Sequence, residues 1–152
     1  MKEYSYFMTR VKRCGIICFH FHPKDGEVRI LVVKGRSTGI YSLPKGRKNS
    51  DEEYDIDCAL RECYEETGID FSNNLTNCTE ILSINNNCYF LTYVDNICFG
   101  KVIDTNEVSE VMWARLLYLE KNKCNKDLRK LLNKLDYNPL TPDLIQFEIN
   151  EP

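Results

Sequence analysis

Between Leu60 and Ile69 the sequence reads LRECYEETGI, which sets Arg61, Glu62, Glu65 and Glu66 within one and a half helical turns of one another. On a helix, side chains three or four apart lie about 5 to 6 Å from each other, and like charges so placed repel by a few tenths of a kcal/mol per pair. Two arrangements accommodate that repulsion. The carboxylates face water as a solvated helix surface, or they gather around something positive. Oxygen donors at this spacing suit hard divalent cations such as Mg2+ or Mn2+. For an arbitrary acidic triplet the solvated surface is the usual account, so the elements that position the triplet carry the decision.

The acids fall on a helical pattern. Ser50-Asp51-Glu52-Glu53 fits an S-x-x-E capping box and Gly68 supplies a left-handed stop, which predicts a helix from about Ser50 to Thr67. At 100° per residue, Ile56, Leu60, Cys63 and Thr67 form one stripe, with Glu62, Glu65 and Glu66 roughly opposite. Upstream, the apolar runs 14–21 and 28–33 flank His22-Pro23-Lys24-Asp25-Gly26 and read as a hairpin. Residues 40–43 form a short extended piece stopped by Pro44 and released into Lys45-Gly46. Downstream, strands are expected over 79–84, 88–94, 97–102 and 108–113, the first two joined at Asn85-Asn86-Asn87. A second helix is expected over about 125–135, with Leu128, Leu131, Leu132 and Leu135 at helical spacing. The segment 138–152 contains three prolines and is expected to drape over the domain without a helix of its own, with a turn available over 142–147.

With 152 residues, 43% hydrophobic and 28% charged, the chain suits one globular domain, 1–152, with a real core. A formal charge of -3 gives no global basic signature, so any nucleic-acid contact must come from a local patch. The eight cysteines form no CxxC pair and sit mostly in apolar runs, which reads as buried free thiols. No run has the character of a secretory signal or a membrane span, and a reducing, cytoplasmic setting is the expectation.

The pattern Gly46, six residues, Glu53, seven residues, Arg61-Glu62-Cys63-Tyr64-Glu65-Glu66-Thr67-Gly68-Ile69 resembles the Nudix box, G-x5-E-x7-R-E-U-x-E-E-x-G-U, where U is a bulky apolar residue. Cys63 fills the first U position with a smaller group, and one additional residue separates Gly46 from Glu53. Taking Glu52 as the first glutamate would restore that interval and break the next. Glu53 is preferred because an insertion within a helix turns its faces by about 100°, whereas a loop absorbs it. The resemblance implies an α/β fold with a mixed sheet sandwiched between helices. It also implies a Mg2+ or Mn2+ cofactor held by Glu62, Glu66 and the Gly46 carbonyl, with Glu65 as ligand or base and Arg61 paired with Glu53 to orient the helix.

The wider stretch YSLPKGRKNSDEEYDIDCALRECYEETGIDFS is similar to the catalytic core of mRNA-decapping Nudix enzymes. Those enzymes carry a glutamate six positions before a tryptophan on a later strand, and Glu107 stands six before Trp113. By that resemblance Glu107 is the remote acid that binds metal or accepts the water proton. Decapping enzymes also follow the core with a basic helix that holds RNA phosphates, a role that would fall here to Lys126, Arg129, Lys130 and Lys134. The implied activity is metal-dependent cleavage of the pyrophosphate bridge of the 5′ cap of capped RNA, releasing m7GDP, with no membrane and no obligatory protein partner. The core must then grip the cap itself, and Phe19, Tyr41, Tyr89, Phe90 and Trp113 are the aromatic residues available. Two other readings stay open. One is hydrolysis of diphosphoinositol or dinucleoside polyphosphates, with Lys34, Arg36, Lys45, Arg47 and Lys48 as a phosphate clamp. The other is a non-catalytic RNA-binding module, against which stands the retention of every glutamate of the box.

Overall fold

The computed structural model describes residues 13–76, 79–136 and 146–147. A mixed seven-stranded sheet is built from β1 (Arg13–Phe21), β2 (Val28–Gly35), β3 (Tyr41–Ser42), β4 (Lys45–Arg47), β5 (Ile81–Ile84), β6 (Asn87–Val94) and β7 (Val108–Arg115). Among the described residues three helices accompany it: α1 (Asp55–Thr67), α2 (Leu116–Glu120) and α3 (Lys126–Lys134). β1 lies parallel to β6, while its other edge pairs antiparallel with β2 and β4.

That shared edge creates the site. The hairpin is paired at its turn end, where Phe19 faces Ile30 and Phe21 faces Val28, but the arms then diverge. Segment 41–47 fills the gap: Tyr41 and Ser42 pair with Lys34 and Val33 of β2, and Lys45, Gly46 and Arg47 pair with Gly15, Cys14 and Arg13 of β1. The break at Leu43-Pro44 lets one short segment serve both strands, since proline donates no hydrogen bond to a ladder.

β1 is buried on both faces, which explains its unbroken apolar run. Cys14, Ile16 and Cys18 pack with Cys58, Ala59 and Cys63 of α1, whereas Ile17 and Phe19 belong to the cluster containing Leu128, Leu131 and Leu132 of α3. The sheet is thus held between helices. Each fully buried leucine of α3 contributes about 1.5 to 3 kcal/mol of apolar burial. Asp127 anchors the same helix from the opposite chemistry: it is buried and accepts from Asn85 Nδ2 (2.9 Å), Asn87 Nδ2 (2.8 Å) and the Tyr89 hydroxyl. Asn85 and Asn86 adopt positive φ, 51° and 68°, in the β5–β6 turn that delivers these donors.

Several expectations need correction. The helix begins at Asp55 with Tyr54 as N-cap, and Ser50 and Glu53 instead build a turn in which Glu53 N–H donates to the Ser50 carbonyl. Residues 97–102 form no strand. Their backbone finds other partners, with Cys98 O accepting from Trp113 Nε1 at 2.8 Å. β4 and α2 are additional elements. Of the tail, Gln146–Phe147 pairs antiparallel with Leu135–Asp136, and the expected turn over 142–147 otherwise lies outside the described residues. Among the described residues no helix is long and apolar enough to cross a membrane.

Candidate active site

The helix that carries the acids is clamped to the segment before it by one guanidinium. Arg61 Nε lies 3.0 Å from Glu53 Oε2, its Nη2 lies 3.1 Å from Glu53 Oε1, and Nη2 also donates to the Arg47 carbonyl at 2.8 Å. Glu53 in turn accepts from Asn49 N–H at 2.7 Å. Arg61 holds the Glu53 carboxyl below the usual range, and Glu53 raises the guanidinium further. Of the two candidate glutamates, Glu53 is therefore the one on Arg61. The insertion is absorbed between β4 and α1, where Lys48 Nζ lies 2.6 Å from Asp55 Oδ1.

At the other end, Gly68 closes α1 at φ 76°, with its N–H on the Tyr64 carbonyl. A Cβ there would lie 2.2 Å from Lys101 N, so the stop residue also lets the 95–107 loop lie directly on the helix end. Ile103 and Asp104 N–H groups both donate to the Glu65 carbonyl, at 3.0 and 2.9 Å. Arg36 pins the far side of the loop through Nε to Thr105 O and its own N–H to Glu107 O. These contacts fix where Glu107 emerges.

Glu62, Glu66 and Glu107 line one cavity of about 580 Å3 together with Gly46. The position a Cβ would take on Gly46 is 2.0 to 2.4 Å from the Glu62 carboxylate atoms, so only a glycine allows that carboxylate to lie against the β4 backbone. Glu66 is buried, on the packed side of α1 with Cys63 and Thr67, rather than opposite them as the periodicity suggested. Its Oε1 accepts from Lys45 N–H at 3.2 Å. Burial pushes the Glu66 carboxyl up to about 8, with the charges of Glu62 and Glu107 adding to the rise. Burial also raises Glu62 against the pull of Arg61, and the Asp104 side chain raises Glu107. Glu65 is placed differently: 38% exposed, it is not among the residues lining the cavity, although it shares Arg61 Nη1 with Glu62, at 3.4 and 3.0 Å.

Three carboxylates lifted above their ordinary range around one cavity call for a positive partner, and all the donors are oxygen, the set that fits a hard divalent ion. Arg13, Lys45 and Arg47 line the same cavity. Of the other cations considered for a phosphate clamp, Lys48 is on Asp55, Lys34 lies 5.6 Å over the Tyr41 ring and Arg36 is on Thr105 O. Arg13 escaped the sequence reading because it reaches the site through its register opposite Arg47, which depends on β4 being a strand. The five aromatics considered for cap stacking, Phe19, Tyr41, Tyr89, Phe90 and Trp113, are all buried in the core. On α3, Lys126 and Lys130 are exposed and Lys134 half-buried. Arg129 is turned back, donating through Nη2 to Leu119 O (3.3 Å) and Asn122 O (2.8 Å).

Known proteins share this arrangement of elements. The chain superposes on a C. elegans Ap4A hydrolase complex with TM-score 0.61 and 21% identity, covering 81% of this chain and 93% of that one. It superposes on the M. smegmatis Nudix hydrolase RenU with TM-score 0.65 and 12% identity, covering 82% of each. In sequence it is 32% identical over 123 residues to mRNA-decapping enzyme subunit 2 of Arabidopsis thaliana, 78% of this chain and 32% of that protein. It is also 32% identical over 130 residues to mRNA decapping complex subunit 2 of Schizosaccharomyces pombe, 82% of this chain and 17% of that protein. The chain thus spans about a third or less of the length of these curated relatives. Residues 11–135 match the family model described as NUDIX domain, and with the box residues seated on α1 and the Gly46 segment as above, the chain belongs to the Nudix family.

Proposed function

We propose that this Nudix hydrolase acts on the 5′ cap of mRNA, using Mg2+ or Mn2+ to hydrolyse the pyrophosphate bridge and release m7GDP and a 5′-monophosphate RNA. The observation that carries the reading is the cavity itself, where Glu62, Glu66 and Glu107 meet Arg13, Lys45 and Arg47. Its decapping character rests on the two relatives named for decapping, which match most of this chain.

Glu62, Glu66 and the Gly46 carbonyl would hold the metal. A divalent ion held there would neutralise phosphate charge and lower the pKa of the attacking water. Arg13, Lys45 and Arg47 bind the non-bridging phosphate oxygens, where charge-assisted hydrogen bonds are strongest. Glu107, emerging from the docked loop, serves as the remote acid that takes the water proton, and Asp104 keeps its affinity for a proton raised. Glu65 acts as ligand or base only by leaving Arg61. Arg61 and Glu53 hold α1 in place. The RNA body runs along Lys126, Lys130 and Lys134, with Arg129 committed to the α2 carbonyls.

Incubation with cap-labelled RNA and Mn2+ tests the assignment. Labelled m7GDP is expected. Turnover of dinucleoside or diphosphoinositol polyphosphates without m7GDP would replace it with a small-molecule hydrolase. A Glu66→Gln variant that loses no hydrolysis in any substrate screen and still binds RNA would make the chain a binding module.

A further inference from the structure

Behind the Gly46 strand lies a second donor cluster, which the proposed hydrolysis does not use. Cys14 on β1 and Cys88 on β6 are register partners across the parallel pair. Asp55 and Cys58 stand three apart at the start of α1, on adjoining turns of one helix face. The Sγ atoms of Cys14 and Cys88 and a carboxylate oxygen of Asp55 all lie within 4.8 Å of one another, and among the described residues no other set of three His, Cys, Asp or Glu side chains does so. Cys58 stands beside this set, its thiol donating to the Gly46 carbonyl at 3.5 Å.

Packing alone accounts for small thiols beneath a helix, but it does not call for a carboxylate within reach of two of them. With Zn–S bonds of about 2.3 Å, a tetrahedral ion separates its sulfur ligands by about 3.8 Å, so sub-ångström shifts would close this cluster around a metal. Asp55 can keep Lys48 on one oxygen and ligate through the other. Two thiolates and a carboxylate carry more charge than one divalent ion offsets. Lys48, 2.6 Å from Asp55, supplies the remaining positive charge.

We propose that Cys14, Cys88 and Asp55 form a zinc site. On binding, the thiol protons pass to solvent and three metal bonds join β1, β6 and the start of α1. Thiolate donors select Zn2+, whereas the all-oxygen cavity selects Mg2+ or Mn2+, so the chain separates two metals by donor chemistry.

The test uses the full chain, reduced, stripped with chelator and titrated with Co2+ in excess Mg2+. One equivalent of Co2+ is expected to give thiolate-to-metal charge-transfer absorption, which one equivalent of Zn2+ bleaches. Carboxylate ligation cannot produce that band. Cys88→Ser and Asp55→Asn should weaken zinc binding by at least the roughly tenfold that an outer-shell change alone can cost, while Glu66→Gln should leave the band intact. Cobalt uptake without the band, a metal affinity unchanged in both Cys88→Ser and Asp55→Asn, or a band lost in Glu66→Gln would each overturn the assignment. If Cys88→Ser does not fold, Asp55→Asn decides, because Asp55 is only half-buried at the helix start.

Discussion

Glu66→Gln replaces the one buried carboxylate of the cavity with an amide of the same shape that can still accept from Lys45 N–H. In the metal-free protein this carboxyl is pushed from 4.5 up to about 8, by burial first and by Glu62 and Glu107 after it. Between those two pH values the unfolded chain ionises Glu66 while the fold keeps it protonated. The native state then binds more protons, and stability falls as pH rises. At 1.36 kcal/mol per pH unit the loss at pH 8 approaches ~4 kcal/mol, and water entering the cavity reduces it to roughly 2 to 4 kcal/mol. For a chain of this size that corresponds to about 5 to 15 °C in melting temperature. Thermal melts in chelator from pH 5 to pH 8 should therefore show the wild type falling by that much more than Glu66→Gln. Added Mn2+ at pH 8 should restore the wild type, where the ion displaces the proton, and restore the variant far less. Hydrolysis by the variant should drop about a hundredfold or more. Parallel melting curves in chelator, or an equal gain from Mn2+ in both proteins, would refute the picture of a buried acid waiting for a cation.

Gly46→Ala drives a methyl into the Glu62 carboxylate, which can swing aside, so the protein should fold with near wild-type melting but lose most of its hydrolysis and much of its metal response. Glu53→Gln leaves Arg61 without its bidentate acid and should cost about 1 to 3 kcal/mol, read as a lower urea midpoint at neutral pH. Because Arg61 holds the Glu53 carboxyl low, that stabilisation is present above the unfolded carboxyl pKa and is lost as pH falls, so wild type and variant should converge in acid. Replacing Lys126 and Lys130 by alanine should weaken RNA binding and lower the slope of log K against log salt by about 2; an unchanged slope would remove α3 from the RNA path. Asp127→Ala strands the buried Tyr89 hydroxyl and unpairs the Asn85 and Asn87 amides beneath α3, and should destabilise by about 1 to 3 kcal/mol, visible in hydrogen exchange of the helix before global melting.

What the amino-acid order determined by itself was local. The β1–β2 hairpin follows from two apolar runs about a Pro-Asp-Gly turn, and α1 and its stop at Gly68 follow from a 3.6-residue period and a residue free to take φ 76°. The spacing of Arg61, Glu62 and Glu66 shows because a helix makes its hydrogen bonds within one stretch of chain, so separation along the sequence converts directly into direction. The tertiary structure decided what depends on distant partners. Lys45–Arg47 becomes a strand only because β1 and β2 diverge and leave it an edge, and through that edge Arg13 enters the cavity. Residues 97–102 have strand composition but lie against Gly68 and Trp113. The same closure buried Glu66, left Glu65 on Arg61, sent the five candidate aromatics into the core and turned Arg129 onto α2. A side chain's type states which bonds it can make, and only the folded neighbourhood settles which of them it makes.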